Sequence, residues 1–359
     1  MNSSASARDQ VFYLGTLTKE GGSQGIYKSS LHPETGKLDT PRLVAEAKNP
    51  SFLTLSPNGK YAYAALLTEK EISAYSVEAD GSLTLLNTRP SGGATPCHIT
   101  TDSQGRYVFV ANYSDGTAAC FSVQQDGSLG EETSSVAFDG SGPNVGRQKG
   151  SHAHGIYPDS KDRFVYVCDL GSDQVWSLAF DSSNGSLMPT TPASGHVPPG
   201  GGPRHLAFHP NGKFAYTNNE MGLSVTVFSI DPQTGTLMPL QTLSTLSDTN
   251  TLTDNVTTSA LFIHPTGRWL YVSSRVSDQI SVFSIAEDGQ ISLLENVPAE
   301  VKIPRGMGLD PTGNYLIVAG EKDDALCVFR IDSATGKLTF TGEKITAPAP
   351  VCVTFAPTD

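Results

Sequence analysis

A short turn built on glycine, followed by a polar residue and then an aromatic one, recurs along this chain and constrains the fold more than any other feature. It reads Ser56-Pro57-Asn58-Gly59-Lys60-Tyr61, and returns at Asp102 to Tyr107, His209 to Phe214, His264 to Trp269 and Asp310 to Tyr315. A degenerate copy, Pro158 to Phe164, carries Asp162 in place of the glycine. The successive steps from Gly59 are 46, 57, 50, 55 and 46 residues, so a chain of 359 residues holds about seven such units.

Each unit reads alike. An alternating strand runs into the turn, and a second strand follows it, as in Lys60 to Ala65 or Arg268 to Ser273. A short loop leads to a third strand, such as Ile280 to Ile285, and an Asp-Gly, Asn-Gly or Thr-Gly pair opens a fourth. Those pairs are Asp80-Gly81, Asp126-Gly127, Asn184-Gly185, Thr234-Gly235, Asp288-Gly289 and Thr335-Gly336. Four antiparallel strands repeated about seven times predict an all-β, seven-bladed β-propeller. The last segment, Val351 to Pro357, supplies one strand, and Val11 to Leu38 supplies the other three with its own Thr35-Gly36 turn. Pairing the two closes the ring and removes the open sheet edge. The chain is therefore expected to be one domain over 1–359, with 1–10 as a flexible N-terminus. The Gly- and Pro-rich stretches Asp139 to Ser151 and Gly195 to Pro203 read as long inter-blade loops, where function tends to sit.

The repeat also ranks positions. Eight residues before each turn glycine, or its Asp162 counterpart, stand Ser51, Cys97, His154, Arg204, Ser259 and Arg305. Eight residues after it stand Leu67, Tyr113, Leu170, Glu220, Arg275 and Glu321. The start of one hairpin strand and the end of the next lie together, so both columns should open on one face, close to the axis. Charge gathers in blades three to six of these columns, while the blade holding Ser51 and Leu67 is bland. A strand-end arginine taken alone is usually a solvated or salt-bridged group; several ionisable groups converging on one rim are a candidate site.

Composition narrows the classes. A net charge of −12 argues against a nucleic-acid groove, which needs a basic stripe. No apolar run is long enough for a membrane helix, and the polar N-terminus lacks a signal-peptide core. Five scattered cysteines without metal-type spacing read as reduced thiols in a cytoplasmic protein. His152 and His154 would share a strand face about 7 Å apart, but two ligands without a third make no complete zinc site. No metal and no cofactor are expected. His205 and His209 are expected to satisfy hydrogen bonds inside their blade, and His98 to lie one residue off the first column as a rim contact.

At these residues the chain resembles the seven-bladed lactonase family, the propeller type of 6-phosphogluconolactonase, together with the related carboxymuconate cyclases. The likeness runs from Tyr13-Leu14-Gly15-Thr16 through Gly142-Pro143-Asn144, Arg147-Gln148 and His152-Ala153-His154. It continues in Gly202-Pro203-Arg204-His205, Asn218-Asn219-Glu220, Tyr271 to Arg275 and Pro304-Arg305-Gly306. One departure is Ser274, where an asparagine is common. The resemblance implies that His154, Arg204, Glu220 and Arg275 carry catalysis, the four that the columns also mark. Arg147, His98, Asn112, Arg305 and Glu321 are the expected substrate contacts.

The expected reaction is metal-independent hydrolysis of a sugar-acid lactone, foremost 6-phosphogluconolactone. Glu220 is the first candidate for general base and His154 its rival, because flanking arginines lower a carboxylate's basicity. Arg204 and Arg275 would hold the oxyanion or a phosphate, and Arg305 with Arg147 would steer the anion. A muconate-lactonising cyclase and a non-catalytic interaction platform are the alternatives. The expected partner is a small anionic lactone or carboxylate, without nucleic acid or membrane, bound by a monomer or weak homo-oligomer.

Overall fold

The computed structural model describes residues 8–19, 21–247 and 255–358. Most of the segment 1–10 therefore lies outside the described residues, but Gln10 already pairs with Leu31 in a strand. Seven antiparallel sheets stand around an axis, six of them with four strands in chain order from the inside outward. The fourth blade shows the plan: Pro203–Phe208 is innermost, followed by Phe214–Asn219, Ser224–Ile230 and Leu237–Ser244. The innermost strands touch their neighbours around the whole circle, with Pro350–Phe355 closing against Pro50–Leu55. In the seventh blade Pro350–Phe355 pairs with Gln10–Thr16, as the ends of the sequence predicted. Its outer strand is longer than expected. After Lys37–Leu38 it resumes as Arg42–Glu46, interrupted where Pro41 has no amide to donate.

Two recurring devices lock blade to blade. Gly81, Gly127, Gly185, Gly235, Gly289, Gly336 and Gly36 all take a left-handed backbone. Six of them, Gly81 excepted, lie on the first aromatic of the preceding blade's second strand. A Cβ on Gly127 would overlap the Tyr61 ring, one on Gly235 Phe164, one on Gly336 Trp269, and one on Gly36 Tyr315 across the chain closure. The turn and the aromatic are thus two halves of one contact. The second device is a buried hydroxyl: Tyr13, Tyr63, Tyr216 and Tyr271 donate to the carbonyls of Gly81, Gly127, Gly289 and Gly336 at 3.0–3.1 Å. Phe109 stands in the second blade's equivalent position, and Thr133 Oγ1 reaches Gly185 O instead, at 3.0 Å.

Apolar cores fill the spaces between neighbouring blades. Tyr216, Val225 and Val227 of the fourth blade pack with Leu270, Val272 and Phe283 of the fifth, each side chain worth about 1.5–3 kcal/mol on burial. All five cysteines are buried free thiols within these layers or beside the channel. Among the described residues no helix is long and apolar enough to cross a membrane.

Candidate active site

The first column coincides with a backbone irregularity present in every blade. On the innermost strands the ladder slips by one residue between Pro50 and Phe52, Pro96 and His98, Ala153 and Gly155, Pro203 and His205, and Pro304 and Gly306. It slips likewise across Ser259 and Ala260 and at Val351. Ser51, Cys97, His154, Arg204 and Arg305 are therefore bulge residues, and a bulge re-aims side chains that strict alternation would send elsewhere. The second column lies at the same end. The amides of Leu67, Tyr113, Leu170, Glu220 and Glu321 donate to carbonyls two residues ahead of the first-column position in their own blades.

Glu220 is the centre of the cluster. Its buried carboxylate meets Arg147 Nη2 at 3.0 Å, Arg204 Nε at 3.0 Å and Arg275 Nη2 at 3.1 Å. Only the Arg147 contact is aligned as a hydrogen bond. Arg204 Nη1 also donates to Ser259 O at 2.7 Å, across the junction of blades four and five, and Arg275 Nη2 donates to Thr258 O at 3.3 Å within the fifth blade. Asn218 reinforces that junction, its Nδ2 donating to Thr258 Oγ1 and Ser259 O. Beside them Arg305 Nε lies 3.8 Å from Glu321 Oε2. Four guanidiniums thus face two carboxylates, a surplus of two positive charges in an acidic protein.

Burial and charge set the protonation states. Burial alone would raise the Glu220 pKa, but Arg275, Arg204 and Arg147 outweigh it and hold the carboxyl below its ordinary value. Burial, then Arg275, loosens the Arg204 proton to about 9, which leaves it charged at neutral pH. Burial first, and then Arg204, drives the His154 pKa well below its usual value, so its imidazole is neutral. His154 Nδ1 is buried without a hydrogen-bond partner among the described residues, as is Arg275 Nε. Most buried polar atoms in a folded protein have a partner, so each of these is available to a ligand.

Beneath the arginines the channel holds a layer of rings that the column count did not foresee. Phe52, His98, Tyr157 and His205 come from blades one to four, with centroids of 4.2 Å for Phe52–His98, 4.5 Å for His98–Tyr157 and 5.5 Å for His98–His205. His205 makes a hydrogen bond, but across blades rather than inside its own: its Nδ1 pairs with Tyr157 Oη at 2.6 Å. These rings, with Arg204 and Arg305, line a channel cavity of about 470 Å³ whose lower walls include Leu53, Phe262 and Val353. Glu220, His154 and Arg275 stand at its upper rim, outside the lining. The charged cluster lies at the rim and the cavity in the shaft below it.

The remaining expectations divide. Arg147, Arg305 and Glu321 join the cluster, and His98 lies one layer down. Asn112 is fully buried, its Nδ2 donating to Thr117 Oγ1 in its own blade and to Ser91 O in the loop that arrives from blade one. His152 is spent on Tyr113, its Nδ1 bonding the Tyr113 carbonyl at 2.8 Å while the rings stack at 4.5 Å. His154 meets the same Tyr113 ring in a T-shaped contact at 5.6 Å. His209 sits on the turn between the first and second strands of its blade, where its Nδ1 accepts from the Asn211 amide at 3.1 Å.

With this geometry in place, comparison with known proteins is decisive. The family model described as "Lactonase, 7-bladed beta-propeller" matches residues 11–355. The chain belongs to the seven-bladed lactonase family. It is 35% identical to the 6-phosphogluconolactonase of Bacillus subtilis over 349 residues, covering 96% of this chain and 98% of that one. It is 32% identical to the 6-phosphogluconolactonase of Formosa agariphila, over 91% of this chain and 94% of the relative. Among solved structures, the periplasmic gluconolactonase PpgL of Pseudomonas aeruginosa superposes with a TM-score of 0.89 at 28% identity, over 97% of this chain and 99% of that one.

Proposed function

We propose that the protein hydrolyses a sugar-acid lactone, 6-phosphogluconolactone before others, by direct attack of water at the rim. The observation that carries this reading is the Arg147–Arg204–Arg275–Glu220 cluster. Its surplus of two positive charges, with the Arg305–Glu321 pair included, complements a phosphomonoester near −2. The relatives named 6-phosphogluconolactonase and gluconolactonase support the same reaction class.

The geometry redistributes the two candidate bases. Glu220 has both oxygens engaged by guanidiniums, which leaves neither free to take a proton; its part is to hold three guanidiniums in register. His154 is neutral and unpartnered at Nδ1, and it is the general base of this reading. Water attacks the lactone carbonyl carbon as its proton passes to His154, and the oxyanion forms against Arg204 and Arg275. The C–O bond to the ring oxygen then breaks, and His154 returns the proton to the leaving alkoxide. The acid product releases its own proton to solvent, giving the carboxylate. Neither metal nor cofactor enters these steps.

The test is the initial rate of 6-phosphogluconolactone opening above its spontaneous background. His154→Gln and Arg204→Ala should each remove at least about 100-fold of the excess, as loss of a base or of an oxyanion donor does. A His154→Gln variant as fast as wild type would discard the base assignment. A wild type no faster than background would discard the substrate.

A further inference from the structure

Glu220 has more cationic partners than one carboxylate needs, and they are not equally committed to it. Arg204 is buried and Arg275 mostly covered, and both are tied to backbone carbonyls of the fifth blade. Arg147 differs. Its side chain is 42% exposed, and its Nη2 alone serves both Tyr113 Oη and Glu220 Oε1, each at 3.0 Å. Its Nε and Nη1 have no hydrogen bond among the described residues.

The loop that carries Arg147 has a fixed base and a free tip. Gln148 is buried: Nε2 donates to Asp173 Oδ1 at 2.7 Å and to Leu170 O at 2.9 Å, while Oε1 accepts from the Asn144 amide at 3.1 Å. The Asp173 carboxylate also accepts from the amides of Gly200 and Gly202, so the loop base is pinned to the segment that leads into Arg204. Gly150 packs its carbonyl so closely on Gly171 that a Cβ there would overlap it. At the tip, by contrast, Val145 is 78% exposed and Gly146 has space around it. The guanidinium is thus held within reach of the site by a rigid foot and can move without disturbing it.

We infer that Arg147 is a phosphate-operated latch that makes the site selective for lactones carrying a remote dianion. This rests on the lactonase reading and deepens it. In the free protein Arg147 closes on Glu220; a phosphoryl group draws it away, because three acceptor oxygens suit the guanidinium fork better than one shared carboxylate oxygen. Leaving is easier for Arg147 than for its neighbours, since its side chain is 42% exposed against 4% for Arg204 and 15% for Arg275. Glu220 stays compensated by Arg204 on Oε2 and Arg275 on Oε1, and the lone pair that Arg147 vacates on Oε1 becomes an acceptor for a substrate hydroxyl. The phosphate therefore anchors the lactone and opens the site in one exchange.

The experiment compares kcat/KM on 6-phosphogluconolactone and on gluconolactone for wild type, Arg147→Gln and Arg147→Lys. Calorimetry with 6-phosphogluconate and with gluconate accompanies it. Arg147→Gln should lower kcat/KM on the phosphorylated lactone about 100-fold, the worth of two charge-assisted hydrogen bonds, and collapse the ratio between the substrates. Arg147→Lys should restore part of the phosphate affinity but little of the ratio, since a point charge lacks the fork. Equal losses on both lactones would overturn the latch and leave the lactonase intact. If wild type opens neither lactone, the lactonase reading fails and calorimetry decides the latch alone. Weakened binding of 6-phosphogluconate but not of gluconate in Arg147→Gln supports it, and unchanged binding of both refutes it.

Discussion

Acidification should weaken this fold earlier than carboxylate titration would. His98, His154 and His205 are buried around the channel, and each is held below its ordinary pKa by burial first and by Arg204 next. For His98 the folded value is about 3, against 6.5 for the free side chain. Above pH 6.5 both folded and unfolded forms are neutral there, so these groups contribute no slope. As the pH falls below 6.5 the unfolded chain takes up protons that the native channel refuses, and stability drops. The loss is about 1.4 kcal/mol per pH unit for each imidazole that stays neutral, so His98 alone accounts for about 2 kcal/mol at pH 5. His154 and His205 shift in the same direction and steepen the slope. His32 opposes them, raised by hydrogen bonds to Asp39 and Asp9, but it lies at the surface, where solvent screens the effect. Urea-unfolding midpoints between about pH 7.5 and 5 would read the slope directly. The variant His98→Asn should be shallower by one imidazole's share, whatever its stability at neutral pH. A wild type whose midpoint is flat across that window, or a variant with the parent slope, would refute the argument.

Two further substitutions pairs test the packing and the charge cluster. Glu220→Gln should cost about 3–5 kcal/mol, because it strands buried guanidiniums, whereas Glu321→Gln, from a looser 3.8 Å pair, should cost under about 1 kcal/mol; urea midpoints compare them, and equal costs would deny Glu220 its compensating part. Tyr271→Phe should lose about 1 kcal/mol with its hydrogen bond to Gly336 O, and Tyr166→Phe should lose nothing, since the Tyr166 hydroxyl is buried without a partner. Similar losses in both would show that the cross-blade hydroxyls do not hold the ring.

The blade count was legible because the turn is made by local chemistry. Gly59, Gly105, Gly212, Gly267 and Gly313 all take a left-handed backbone, and Asp162 takes it too, at φ 53°, in the copy that lacks glycine. Fixed spacing from that turn then reached His154, Arg204, Glu220 and Arg275. What alternation could not show was the bulge. It is a tertiary event at the inner edge, and it brings Arg204 and His205, consecutive in sequence, to the same channel wall. The same blindness hid Phe52 and Tyr157, and it let Asn112 pass for a rim contact when its amide serves Thr117 and the loop from blade one. The Asp173 tie between two loops has no local signal at all, since its partners lie 25 to 29 residues away.

The bulge also explains how a symmetric frame comes to hold an asymmetric site. Seven innermost strands present the same irregularity to the axis, so the backbone offers seven equivalent positions and favours none. Selection among them is left to side chains. On one side stand Ser51, Cys97 and Val351, uncharged; on the other, Arg204 and Arg305. A ligand entering from the rim therefore meets a cationic wall opposite a bland one. Its charged end is drawn toward blades four to six, and its size is limited by the residues facing them. Charge in the wall and bulk in the opposing positions are independent variables on this frame, because neither alters the ladder that carries them. Substrate choice within such a family can thus change by one or two side chains while the ring, its glycine turns and its hydroxyl staples stay as they are.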